Sequence, residues 1–145
     1  MKSLKTYSTK ASEIKRKWYL VDIKGKTLGR IACKIAGIIM GKAKVNFTPH
    51  LDMGDFVIVV NASEVAVTGK KETDKTYFSH SGYPGGDKLL NFKHLIARNP
   101  KRLIRQAVWG MLPQNRLGRA MIKKLKIYAG DKHGHIAQKP EQITL

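Results

Sequence analysis

The stretch Gly25-Lys-Thr-Leu-Gly-Arg30 follows an apolar run and contains the residue types of a phosphate-binding loop. A nucleotide-hydrolysing loop needs another glycine five residues before the Gly-Lys pair, so that consecutive amides wrap the phosphates while Lys and a hydroxyl reach the terminal phosphate and magnesium. Leu20 stands at that position, and in Gly37 to Ala43 the spacing is one short and Ala43 replaces the hydroxyl. "GKTLGR" is therefore read as a tight turn opening a helix, with Lys26 and Arg30 flanking a helix N-terminus that attracts anions. The histidines at 50, 80, 94, 133 and 135 lack the cysteines or nearby carboxylates that would complete a tetrahedral metal site. His50, His80, His133 and His135 are read as loop residues beside phosphates or bases. Asp52 and Asp55 have the spacing of a hydrolytic pair, but turn bonds at the start of the next strand are the stronger expectation. Ser79 to Ser81, with His80 between them, lack the acid of a catalytic triad.

The charge balance narrows the partner. The 145 residues hold 28 Lys plus Arg against 10 Asp plus Glu, a formal charge of +18. An excess of that size repels itself unless a polyanion is near, which points to nucleic acid. Eleven of the cations lie between Lys88 and Lys126, with no acid between Asp87 and Asp131. A merely solvated face would mix signs, because like charges at helical spacing oppose the helix. No segment is long and apolar enough to span a bilayer, and no small-molecule pocket motif is intact. The first 17 residues lack the apolar stretch of a signal peptide; their Ser, Thr and Lys content leaves a transit peptide open, and an uncleaved basic arm is preferred. A single cysteine, Cys33, excludes a disulfide framework and suits a reducing cytoplasm.

The elements that must position these groups follow from periodicity. Trp18 to Ile23 and Phe56 to Val60 are unbroken apolar runs that suit strands covered on both faces. Between them Leu28, Ile31, Ala32, Ile35 and Ile39 recur at helical spacing, with Thr27 placed to cap the helix and Gly41 to end it. A strand, helix, strand unit with parallel strands is expected, together with further strands after Val65 and from Lys75. Asn99 and Pro100 start a helix that buries Leu103, Ala107, Val108 and Met111 and turns Lys101, Arg102, Arg105 and Trp109 outward. Another, from Arg116, buries Leu117, Met121 and Leu125 and presents Arg116, Arg119 and Lys123. A short strand from Lys126 precedes residues 131–145, an extended tail. One domain is expected over residues 1–145.

Phosphate contacts are expected from Lys26, Arg30, Lys34, Lys42 and Lys44 around the first helix, from Lys70 and Lys71, and from Arg98, Lys101, Arg102, Arg105, Arg116, Arg119, Lys123 and Lys124. The turn His80-Ser-Gly-Tyr-Pro-Gly-Gly86 has two readings of equal weight: an ordinary hairpin loop, or a rigid tip on which His80 and Tyr83 stack on exposed bases.

Taken in order, "RKWYLVDIKGKTLGRIACKIAGIIMGK", "FTPHLDMGDFVIVVNASEVAVTGKK", "YFSHSGYPGG", "VWGMLPQNRLGR" and "LKIYAGDKHGHIAQKP" resemble the bacterial-type large-subunit ribosomal protein thirteen family. The resemblance runs from about Tyr7 to Pro140 and departs from the family pattern at Gly134, where proline is expected. It implies a three-layer α/β/α domain around a mainly parallel four-stranded sheet, with a basic helical C-terminal half. It further implies binding to large-subunit ribosomal RNA and to neighbouring ribosomal proteins in the cytoplasm, early action in subunit assembly, no cofactor and no catalysis. On composition alone, an RNA-modifying enzyme that uses a nucleotide and a free DNA-binding regulator stay open as other classes.

Overall fold

The computed structural model describes residues 9–145. The first eight residues of the expected basic arm lie outside them. Strand β1 (Trp18–Asp22), helix α1 (Leu28–Met40) and strand β2 (Phe56–Val60) form the expected unit. The strands pair in parallel, Trp18 opposite Phe56 and Val21 opposite Val59. Thr27 occupies the N-cap position without a side-chain cap bond, and Gly41 closes α1 at φ 79°, a conformation that favours glycine.

Beyond β2 the chain makes a short helical turn α2 (Lys71–Asp74), then β3 (Thr76–His80) and β4 (Asp87–Asn91), which pair antiparallel as a separate hairpin. Helices α3 (Phe92–Arg98), α4 (Pro100–Trp109) and α5 (Arg116–Met121) follow, and β5 (Leu125–Ile127) and β6 (Glu141–Gln142) return to the main sheet. That sheet has the order β5-β2-β1-β6, and every neighbouring pair is parallel. The α/β class with a parallel four-stranded sheet is thus as the sequence implies.

Alternation divides the sheet into two faces. Val21, Val57 and Val59 join Ile31, Ile35, Leu103, Ile104 and Val108 in one apolar core under α1 and α4, which lie against each other. Burying the Leu103, Ile104 and Val108 side chains contributes about 1.5–3 kcal/mol each. Repulsion between like charges on the outside of α4 costs only a few tenths of a kcal/mol per pair. Burial therefore wins, and α4 can hold an outer face with three cations and no acid. On the opposite sheet face Trp18 stacks on Phe56 with ring centroids 4.3 Å apart, and the returning C-terminal chain brings His135 within 5.2 Å of Trp18.

Four expectations need correction. The run after Val65 is not a strand: Ala66 makes an isolated parallel bridge with Thr27, because the partner chain turns into α1 one residue later. The helix from Arg116 stops at Met121 and tightens into a 3₁₀ turn, and Leu125 is buried on β5 opposite Val57, where the open edge of β2 offers backbone pairing. Met111 is 41% exposed because α4 ends at Trp109, and Ile104 fills the core in its place. The tail does not stay outside the fold: β6 pairs with β1, and the Ile143 amide donates to the Leu20 carbonyl at 2.9 Å.

Gly54 lies where the chain turns into β2 across the end of α1, and a Cβ there would overlap the Ile39 carbonyl. Gly54→Ala therefore has to displace the backbone of β2 or α1. It is expected to lower stability by about 1–3 kcal/mol, read as a drop in the urea midpoint at unchanged slope.

Candidate nucleic-acid interface

Helix α4 begins at Asn99, whose side chain accepts from the Arg102 amide at 3.0 Å, with Pro100 in the first turn. That start fixes the rotation of the helix, so Leu103 and Ile104 face the core while Lys101, Arg102 and Arg105 are exposed. Helix α5 begins in the same way at Asn115, which accepts from the Gly118 amide at 2.8 Å, and presents Arg116 and Arg119 to solvent. Two open grooves run along α4, one toward α5 and one toward β5. One, of about 520 Å³, is lined by Arg102, Arg105, Trp109, Arg119 and Lys123. The other, of about 820 Å³, is lined by Lys101, Lys126 and Tyr128 and shares Arg102, Arg105 and Lys123 with the first. The shared residues make them one trough, and no carboxylate lines it. Its walls carry two aromatic rings, and Lys101 Nζ sits 5.7 Å from the centre of Tyr128. Trp109, placed on the outer face by helical spacing, does both: it packs against the core and lines the trough.

Other sequence-predicted residues lie outside the trough. Arg98 is exposed at the end of α3, and Arg116 is exposed at the start of α5 but does not line the trough. Lys26, Arg30 and Lys34 line a shallow pocket beside the start of α1, where Lys26 Nζ donates to the Leu145 carbonyl at 3.1 Å. Lys42, His50, Lys70 and Lys71 are exposed. In the hairpin loop His80 Nδ1 accepts from the Gly82 amide at 2.9 Å, and Tyr83 is 75% exposed at the tip. His133 and His135 are half-buried in the aromatic group around Tyr128 and Trp18.

Two expected phosphate ligands are corrected. Lys124 is 4% exposed; its ammonium donates to the Ile39 carbonyl at the end of α1 and to Asp52. Lys44 Nζ donates to Asp55 at 2.6 Å and to the Met53 and Lys15 carbonyls. Both ammonium groups are engaged inside the chain rather than offered to a phosphate. Asp52 and Asp55, expected to make turn bonds, are the anchors of these ties: Asp55 also accepts from the Lys17 amide at 2.8 Å, and Arg16 approaches Asp52 at 3.7 Å. The described part of the N-terminal arm is thereby tied down, with Thr9 buried and its hydroxyl donating to the Asn46 carbonyl. Spacing could not reveal this, because the partners lie up to 85 residues apart.

Among the described residues no cluster of His, Cys, Asp or Glu could hold a metal ion, and no helix is long and apolar enough to cross a membrane. Exposed Cys33 stands on α1 away from these features.

Burial pulls the Lys124 ammonium below its usual 10.5, while Asp52 works in the opposite direction. The unfolded chain then holds this proton more tightly than the folded one, so between the folded value and 10.5 the amine makes stability rise with pH. Lys124→Met is expected to remove that alkaline rise from a stability-against-pH series. At neutral pH Lys124→Ala is expected to cost about 3 kcal/mol or more by leaving Asp52 without its buried partner, measured by urea unfolding.

The family model described as ribosomal protein L13 matches residues 16–134. The large ribosomal subunit protein uL13 of Symbiobacterium thermophilum is 59% identical, over 97% of this chain and 99% of its own length. Those of Chlorobium phaeobacteroides and Alcanivorax borkumensis are 57% and 55% identical, over 99% and 98% of this chain and 95% and 100% of their own lengths. With a parallel sheet, a one-sided cationic trough and a match along nearly its whole length, this chain belongs to the ribosomal protein L13 family.

Proposed function

We propose that the chain is a structural constituent of the large ribosomal subunit that binds ribosomal RNA, supports early subunit assembly and carries out no catalysis. The observation that carries this reading is the trough: Arg102, Arg105, Arg119 and Lys123 line one concave surface that no carboxylate shares. RNA carries one phosphate per nucleotide, and each one met by Lys or Arg releases a condensed counterion. Arg adds a planar fork that grips phosphate at two points or stacks on a base. Trp109 and Tyr128 in the same walls suit unpaired bases, the usual target of sequence-dependent RNA recognition.

Arg30, Lys34, Lys42, Lys70 and Lys71 lie outside the trough, so the reading includes contacts to more than one RNA segment. A rigid protein that holds two segments together stabilises the folded RNA, and the folded RNA in turn stabilises the docked protein. The hairpin offers Phe78 and Leu89, a cross-strand pair 62% and 66% exposed, to neighbouring large-subunit proteins. The working location is the cytoplasm, in the ribosome.

Replacing Arg102, Arg105, Arg116 and Arg119 together by Gln tests the reading. The variant is expected to keep the circular dichroism and melting temperature of the parent, because all four side chains are exposed. Its affinity for large-subunit RNA is expected to fall by about 10²-fold or more, since a hydrogen bond to a charged group is worth at least roughly 1.5 kcal/mol and four arginines are removed. In cell lysates it should leave the large-subunit peak of a sedimentation gradient. Undiminished incorporation would overturn the proposal.

A further inference from the structure

A second concave site lies on the other flank of α4. It is an open cleft of about 910 Å³ bounded by the start of α1, the segment around Val67, the β3 strand and the end of α4. The volume falls in the range of roughly 300–1,000 Å³ typical of small-ligand sites. Its lining divides by chemistry. Leu28, Val67, Ala107 and Met111 give an apolar floor, and Arg30, Lys71 and Lys75 are the charged groups; no carboxylate lines it. Thr27 leaves the first turn of α1 without a side-chain cap, and a Cβ on Gly29 would meet only open space, so the helix start is unobstructed on this side. Tyr77 lines the cleft, and its hydroxyl is buried without a hydrogen-bond partner among the described residues. With that atom shut off from solvent, the part of Tyr77 that a ligand in the cleft touches is its ring. Lys75 Nζ lies 5.4 Å from the Tyr77 ring, which places a cation beside the same wall.

An anion alone would need the cations but not the apolar floor, and an apolar ligand would need the floor but not three cations. A nucleotide has both parts. The failed glycine spacing removes the amide wrap that a triphosphate would need, which leaves one phosphate and one base. Gln106 lines both this cleft and the arginine trough, so the two sites meet across α4. RNA docked in the trough presents its nearby nucleotides to the cleft at millimolar effective concentration, and a site weak for free nucleotides is then filled.

We propose that the cleft between α1, β3 and α4 receives a single unstacked nucleotide of the bound RNA, its base on the Leu28, Val67 and Met111 floor beside the Tyr77 ring and its phosphate by Arg30, Lys71 and Lys75. The inference rests on the RNA-binding reading above.

The test uses the full chain, titrated with the four nucleoside 5′-monophosphates and, as control, ribose 5-phosphate, while amide NMR shifts are followed. At least one mononucleotide is expected to move the amides of Thr27 to Arg30, Val67 to Lys71 and Tyr77, with ribose 5-phosphate at least about tenfold weaker. Arg30→Gln is expected to weaken both mononucleotide and large-subunit RNA binding about 10-fold or more, the range for one hydrogen bond to a charged group, with the melting temperature of the parent, because Arg30 is exposed. The variant with four arginines of α4 and α5 replaced should retain the mononucleotide shifts. Equal binding of ribose 5-phosphate and the mononucleotides would reduce the cleft to an anion site and overturn the inference. So would an Arg30→Gln chain that binds both ligands as the parent does. If the parent binds subunit RNA but no mononucleotide moves the cleft amides, this inference fails while the ribosomal reading stands. A cleft that takes mononucleotides on a chain that binds no subunit RNA overturns the ribosomal reading, and with it the polymer origin of the nucleotide.

Discussion

Ten carboxylates share a chain with 28 lysines and arginines, and the fold depends on where the charges of opposite sign meet. Lys17 with Glu141 and Lys24 with Glu64 pair at the surface, whereas the buried and half-buried contacts meet at the junction between the end of α1 and the start of β2. Asp52 and Asp55 there gather Lys124, Lys44, Arg16 and the Lys17 amide, joining stretches of chain that are distant in sequence. Buried or half-buried pairs of this kind are little screened by salt, unlike contacts on the surface. The consequence is a division of labour among cations. Those near the junction hold the protein together, and those of α4, α5 and the following turn that line the trough share one concave surface with no acid in it.

The apolar core makes that second group possible. Helix α4 is held by Leu103, Ile104 and Val108, and its orientation is fixed by the Asn99 cap and the contact with α1. Because burial outweighs the repulsion among a few exposed cations, the outer face is free to be selected for a partner. Much the same holds for α5, a helix of six residues that Asn115 caps and Gly118 seats against the Pro113 carbonyl. Short, capped helices on a parallel sheet keep their arginines at fixed separations, which is the property a phosphate-spaced partner requires.

Some of this was legible from residues alone, and the rest depended on contacts that no local pattern encodes. The β1-α1-β2 unit declared itself because two unbroken apolar runs flank one helical period, and the Asn99-Pro100 start because capping is a local interaction. The trough was visible as a run of cations without acids. Lys44 and Lys124 looked the same as their exposed neighbours, since burial of a lysine is decided by carboxylates elsewhere in the chain. Strand β6 was hidden because Glu141 and Gln142 join the sheet through their backbones and carry no apolar signal. Leu125 kept helical spacing with Met121 yet lies on a strand, the open edge of β2 having outweighed local periodicity. The Tyr77 cleft is assembled from separate elements, so its residues share no stretch of sequence. Membership of the family was legible from the order of several motifs, and the full-length matches show it.

The central claim is that the outward cations of α4 and α5 act together on phosphates. It is tested most directly by the salt dependence of the equilibrium between the intact chain and large-subunit RNA. Four phosphate contacts, at roughly −0.7 to −0.9 each, give a plot of log affinity against log salt with a slope of about −3 to −4 or steeper. A slope near zero, at any affinity, would contradict the account.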